Sequence, residues 1–265
     1  MIRIGTSGFS YDDWVGPFFP PTLKPQHRLE YYAQWFSTLE LNSTFYTLLA
    51  EGAVGGLINK VDTGFHFFVK ANRDLTHGTR KNAKETMTKF EVMADLFRQA
   101  EKLGGVLFQF PATFEYSSKN EDYLRWAVES LGKVGAVIEF RHSKWINDKT
   151  MAFLRELNAG YCIVDMPQVR NLPSSRIEVT SDIAYIRFHG QNKAEWESKT
   201  SSRDERYDYE YSEEEIKEWV PVIAGLDKKV KDTYIYYNNH YNAKAAKNAT
   251  TLQKFLHAPS ISPKK

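Results

Sequence analysis

Short runs rich in β-branched and aromatic residues recur along the chain, each followed by a longer stretch of helical period. The runs are Ile2 to Ser7, Leu39 to Asn42, Phe65 to Lys70, Val106 to Gln109, Ala136 to Arg141, Tyr161 to Asp165, Ala184 to His189 and Thr233 to Asn239. Helix-period segments cover Arg28 to Phe36, Ala53 to Lys60, Ala83 to Leu103, Asn120 to Leu131, Asp148 to Asn158, Glu213 to Val230 and Ala243 to His257. Asn120 and Ser212 stand where N-caps belong, and Gly104, Gly132 and Gly160 stand where helices should end. Strands alternating with helices predict a parallel sheet, and eight such units predict an α/β fold, a single (β/α)8 TIM-type barrel. That barrel is expected over 1–257, with 258–265 as a frayed tail. The sixth unit is irregular, because Pro167 and Pro173 leave little room for a helix between Asp165 and Ala184. Residues 191–211 are polar and aperiodic yet carry Trp196, Tyr207, Tyr209 and Tyr211. A stretch that long inside a barrel predicts a lid over its mouth, or else a disordered loop.

Residues two apart on a strand share a face, so each run divides into two phases. Thr38, Glu40 and Asn42 alternate with Leu39 and Leu41; Val137, Glu139 and Arg141 alternate with Ile138 and Phe140. Tyr185, Arg187 and His189 alternate with Ile186 and Phe188, and Ile163 and Asp165 alternate with Cys162 and Val164. The apolar phase must meet the surrounding helices, so the polar phase points into the barrel. Polar residues also gather at the C-terminal ends of the strands, the end at which barrel enzymes bind and react. The expected pocket therefore contains Ser7, Glu40, Asn42, Lys70, Gln109, Glu139, Arg141, Asp165, Arg187, His189, Asn238 and Asn239. A plain structural network of ion pairs filling the barrel is the competing reading.

A length of 265 residues suits one barrel, and a net charge of only +2 gives no general attraction to polyanions or anionic membranes. The single Cys162 excludes an intrachain disulfide framework and a Cys-rich zinc site. Neither a signal-peptide run nor about 18 consecutive apolar residues occurs, so a cytoplasmic protein without membrane partners is expected.

The candidate chemistry follows from the pocket. Arg141 and Arg187 with Lys70 suit a small anionic ligand, a carboxylate or a phosphate. A phosphate could also reach the helix that starts near Asn242, just past the last strand. Glu139 is the candidate general base and His189 the acid or proton shuttle, with Asp165 and Glu40 as further candidate catalytic carboxylates. Lys70 could form a Schiff base, although flanking carboxylates would hold it protonated. No cofactor is expected. Glu40, Glu139, Asp165 and His189 could together chelate a divalent metal, but they lack a tight ligand spacing and sit among cations. Gln109 and Arg187 occupy the fourth and seventh strand ends, where a glycosidase would need paired acids. Phe9, Tyr11, Trp14, Phe18, Tyr46 and Tyr237 could stack on a sugar or a base, or simply pack.

Several runs taken together resemble the uncharacterised DUF72 (YecE-like) family. They include Gly5-Thr-Ser-Gly-Phe-Ser-Tyr11 with Trp14, Glu40-Leu-Asn-Ser-Thr-Phe-Tyr46, Phe68-Val-Lys70 with Thr76-His77, and Leu107-Phe-Gln-Phe-Pro111. Glu139-Phe-Arg-His142 with Trp145, Asp165-Met-Pro167, Tyr185-Ile-Arg-Phe-His-Gly190 and Tyr237-Asn-Asn239 complete the likeness, which runs from end to end. The departures are Phe9 where Trp is usual, Thr47-Leu-Leu49 where Arg-x-Pro is usual, and an atypical segment from Ala50 to Thr63. The resemblance implies a TIM-type barrel and brings no established activity. Three function classes remain at this point. One is an enzyme acting on a small anionic metabolite (a sugar, a sugar phosphate or a carboxylate) by acid–base chemistry. The others are a nucleic-acid-binding or processing protein, and a non-catalytic ligand sensor.

Overall fold

A computed structural model describes residues 1–132, 134–169, 172–173, 175–198, 200 and 203–256. In chain order the first half holds β1 (Ile2–Thr6), α1 (Arg28–Tyr32), β2 (Thr38–Leu41), α2 (Glu51–Ile58), β3 (His66–Lys70), α3 (Arg73–Thr76), α4 (Ala83–Gln99), β4 (Leu103–Gln109) and α5 (Ser118–Ser130). The second half holds β5 (Ala136–Glu139), α6 (Asp148–Glu156), β6 (Gly160–Asp165), β7 (Ile183–Phe188), α7 (Lys193–Glu197), α8 (Arg203–Arg206), α9 (Glu213–Asp227), β8 (Asp232–Tyr237) and α10 (Lys244–Leu256). All eight expected strands are present, and all pair in parallel in the order β1-β8-β7-β6-β5-β4-β3-β2. A bridge between Ser7 and Glu40, with Gly8 N–H donating to the Glu40 carbonyl at 2.9 Å, brings β1 against β2 and closes the ring. The approach is tight. A Cβ on Gly5 would stand 2.2 Å from the Thr38 carbonyl oxygen, so no larger residue fits at the seam.

The sixth unit is irregular as expected: no helix occurs among the described residues between β6 and β7. The region 191–211 is folded over most of its described length, with α7 and α8 in it. The expected tail over 258–265 lies outside the described residues.

The helix boundaries carry three corrections. The N-cap of α5 is Ser117, whose side chain accepts from Asn120 N–H, and Asn120 is inside the helix. Gly104 is in β4 and Gly160 begins β6; the left-handed positions after α4 and α6 are taken by Glu101 (φ 57°) and Asn158 (φ 49°). Gly132, at φ 60°, does end its helix. Ser212 is the N-cap of α9 in a full capping box, accepting from Glu215 N–H at 3.2 Å while Glu215 accepts from Ser212 N–H at 2.8 Å. Ser212→Ala should lower stability by about 1 kcal/mol in urea unfolding with an unchanged slope. A change below about 0.3 kcal/mol would show the box to be ornamental.

Two cores result from the strand alternation. Outward residues such as Ile138, Ile163, Ile186 and Ile235 pack on the helices, while Phe68, Leu107, Val137, Cys162, Val164, Tyr185, Tyr234 and Tyr236 fill the barrel. The inner rings stack closely, Phe68 on Tyr185 at 4.4 Å and Tyr185 on Tyr236 at 5.2 Å, so the lower barrel is solid. Anything bound must sit above this layer, at the C-terminal strand ends.

Candidate functional site

Parallel partners in register share a face, which decides which expected residues enter the barrel. Lys70 pairs with Leu107, Gln109 with Glu139, Val164 with Arg187, and Arg187 with Tyr236. Glu40, Lys70, Gln109, Glu139 and Arg187 therefore point inward, and Ser7, Arg141, His189 and Asn238 continue the same phase just past their strands. β6 is the exception. Its inward residues are Cys162 and Val164, not Ile163 and Asp165.

Asp165 lies outside the barrel, accepting hydrogen bonds from Tyr211 Oη (2.6 Å) and Gln191 Nε2 (2.8 Å). Asn239 faces outward too, donating to the Tyr209 carbonyl and to Asn248 Oδ1, both at 2.8 Å. These two residues fasten the 191–211 segment to α10 and the barrel wall; neither joins the pocket. Without Asp165, the four candidate metal ligands do not converge. Among the described residues, no group of three or more His, Cys, Asp or Glu side chains is arranged around a common point.

The centre is a buried ion network. Glu40 and Glu139 are both fully buried, and Arg187, 2% exposed, bridges them. Its Nη2 donates to Glu40 Oε1 at 2.7 Å and its Nη1 to Glu139 Oε2. Tyr185 Oη donates to the other oxygen of Glu40 at 2.6 Å, and Ser7 Oγ is 3.4 Å from Arg187 Nη2. Arg141 Nε donates to Glu139 Oε1. Burial alone would raise the Glu139 carboxyl, but Arg141 and Arg187 outweigh it and hold the group well below the usual carboxylate range. The expected general base is thus a firmly ionised anchor with both oxygens engaged.

His189 is fully buried, with Nε2 3.1 Å from Arg141 Nη2 and 3.4 Å from Glu139 Oε1, and Nδ1 3.0 Å from the Asn238 amide. A guanidinium only donates, so Nε2 accepts from it and the ring is neutral. Burial, then the Arg141 charge, push the imidazole down to about 3. A group lowered so far is neutral near pH 7, which bears on the acid role expected of His189 and leaves the proton-shuttle role open.

Lys70 departs furthest from expectation. It is 5% exposed, its ammonium makes one hydrogen bond among the described residues, to Gln109 Oε1 at 3.0 Å, and it lies 4.6 Å above the Phe45 ring. The carboxylates expected to hold it protonated are bound by arginines instead. Burial, then the Arg187 charge, lower its ammonium to about 7, against the weaker pull of Glu40 and Glu139. Cys162 Sγ is 3.9 Å from Glu139 Oε2; burial and that negative charge push the thiol up, so it is an inert wall.

The mouth above this network is a cleft of about 380 Å³ lined by Tyr11, Asn42, Tyr46, Tyr207, Asn238 and His240, among others. Asn42 Oδ1 is buried there with no protein partner among the described residues. Trp196 covers Arg141 at 5.6 Å and Tyr207 lies 5.9 Å from the His189 ring, so these two residues roof the network. Among the mouth aromatics, Trp14, Phe18 and Tyr237 pack into the core. Tyr11 stacks on His240 at 4.7 Å and stays at the cleft. The N–H of Asn242, expected to receive a phosphate, donates instead to Asp13 Oδ2 at 2.6 Å.

Sequence reasoning gave no role to Tyr185, Phe45 or His240. Tyr185 was recoverable, since it shares the inward phase of Arg187 and a buried phenol needs a polar partner. Phe45 and His240 sit in short 3-10 turns outside the strand periodicity.

A family model described as "Protein of unknown function DUF72" matches residues 3–265. The UPF0759 protein YunF of Bacillus subtilis is 27% identical over 270 residues, 97% of this chain and 95% of that protein. The crystal structure of a DUF72 family protein from Thermotoga maritima superposes with a TM-score of 0.89 at 37% identity, covering 97% of this chain and 99% of the other. A DUF72 family protein from Enterococcus faecalis gives 0.89 at 25% identity, covering 100% and 99%.

Proposed function

The chain belongs to the DUF72 family, and from that footing we propose that its barrel mouth binds a small anionic metabolite, a carboxylate or a phosphate ester, and transfers protons on it. The observation that carries this reading is the charge imbalance of the buried cluster. With Asp165 outside, Arg141, Arg187 and the protonated share of Lys70, whose ammonium is lowered to about 7, face two carboxylates, Glu40 and Glu139. Buried like charges of this kind are costly unless a counter-ion arrives.

Within the cluster the roles separate by exposure. Arg187 is held by Glu40 and Glu139 through its two terminal nitrogens and serves as the frame. Arg141, 9% exposed, is the more accessible of the two, held by Glu139 and His189 along one edge with Trp196 over it. An anion drawn to Arg141 weakens that residue's hold on Glu139, so the carboxylate regains basicity when a ligand is seated. Asn238, at the cleft, then supplies a directional hydrogen bond rather than charge, while neutral His189 positions Arg141.

Arg141→Leu should weaken binding of inorganic phosphate or pyruvate, followed by calorimetry, by about ten- to a hundred-fold, the value of one charged hydrogen-bonding group. Thermal unfolding should confirm an intact fold. Equal affinity in wild type and variant, or no binding of any small anion by the wild type, would remove the anion site.

A further inference from the structure

We infer that Lys70 is an amine nucleophile that forms an imine with the oxo carbon of a small 2-oxo carboxylate held by Arg141, an inference that rests on the anion site proposed above. Three features of the geometry point there. First, Lys70 ends β3 inside the mouth and, among the described residues, has no carboxylate partner; its hydrogen bond is to the neutral Gln109 amide. Second, both nearby carboxylates are committed elsewhere, Glu40 to Arg187 and Tyr185, and Glu139 to Arg187 and Arg141. Third, Lys70, Gln109 and Glu139 stand on adjacent strands, with Arg141 two residues past Glu139. Two strand steps of about 4.8 Å each separate β3 from β5, and the long side chains span them closely enough that the Arg141 charge still acts on the Lys70 ammonium.

The charged and titratable groups around Lys70 are Glu40, Glu139, Arg141 and Arg187, with His77 on the neighbouring helical turn. Their balance leaves a substantial share of free amine near neutral pH, where an exposed lysine is almost wholly protonated. The step balances without an external oxidant or reductant. The Nζ lone pair attacks the oxo carbon as its C–O π bond opens, and the oxygen takes a proton. The resulting carbinolamine loses that oxygen as water while the nitrogen gives up its protons and the C=N bond forms. Arg141 keeps the carboxylate ion-paired throughout, and the roof formed by Trp196 limits competing water.

The test uses the full chain with pyruvate and sodium cyanoborohydride at pH 7, followed by peptide mapping. The expected result is one dominant reduced adduct on Lys70, absent in Lys70→Arg and in Lys70→Met, with both variants folded by thermal unfolding. Acetone, which lacks the carboxylate, should label Lys70 weakly, and should differ far less than pyruvate does between wild type and Arg141→Leu. Pyruvate labelling should fall at least about tenfold in Arg141→Leu. Adducts confined to exposed lysines such as Lys228 and Lys229, while calorimetry still shows pyruvate binding that Arg141→Leu abolishes, would overturn the amine chemistry and leave the anion site standing. Neither adduct nor binding of any anion would overturn both.

Discussion

Arg187→Met is expected to destabilise the fold by about 3–5 kcal/mol, the usual cost of removing one partner from a buried ion cluster. Arg187 is the one link between Glu40 and Glu139 in the network, and both carboxylates are fully buried. Without it, Glu139 keeps Arg141 and Glu40 keeps only the Tyr185 hydroxyl. Two like charges would then share a dry interior. The sign with pH follows. Burial would raise the Glu139 carboxyl, yet Arg141 and Arg187 hold it well below its usual value, so the stability that Arg187 lends through it is present above the ordinary carboxylate range and lost as pH falls below it. The deficit of the variant should therefore shrink at low pH, read from urea midpoints at pH 7 and pH 3 with slopes compared. Glu40→Leu combined with Arg187→Met should recover part of the loss, because the orphaned charge is then gone. A single variant within about 1 kcal/mol of wild type at pH 7 would refute the network as a buried structural unit.

How much of this was legible in the chain depends on the range of the interaction. Strand positions, the polar inward phase of β2, β5 and β7, and the capping box at Ser212 all depend on neighbours within a few residues, and local pattern finds them. The phase of β6 fails for a definable reason. Asp165 is a polar residue at a strand end, yet its partner is Tyr211, 46 residues further on, which packs from outside the barrel. Gly104 and Gly160 mislead in the same way. Each leaves room for a neighbour rather than ending a helix: an added Cβ would stand 3.1 Å from the Tyr234 ring across the barrel at Gly104, and 3.0 Å from Val137 Cγ2 on the adjacent strand at Gly160. Moving Asp165 out of the pocket turns an apparently balanced set of charges into a cationic one. The state of Lys70 changes with it, because composition shows which charges are present but not which arginine has already taken which carboxylate.

That state leads to a prediction in the opposite direction: Lys70→Met should stabilise the protein by about 1–4 kcal/mol at pH 6. Met is close to Lys in length, unbranched, and free of the charge that the site cannot neutralise. Losing the bond to Gln109 offsets roughly 1 kcal/mol of the gain. The pH dependence separates this cause from improved packing. An unfolded lysine titrates at its ordinary value of 10.5, the folded one at about 7. Between those values the unfolded chain binds a proton that the folded chain lacks, so wild-type stability rises with pH across that window. The variant has no such slope. Its advantage should therefore be greatest below pH 7 and dwindle toward pH 10, read from urea midpoints at pH 6, 8 and 10. A variant less stable than wild type at every pH would mean that Lys70 is held by its packing and hydrogen bond, as an ordinary structural residue. A more stable variant that no longer traps pyruvate would mean the reverse: the chain keeps an unpaired amine in its interior, at a cost in stability, for the chemistry that amine performs.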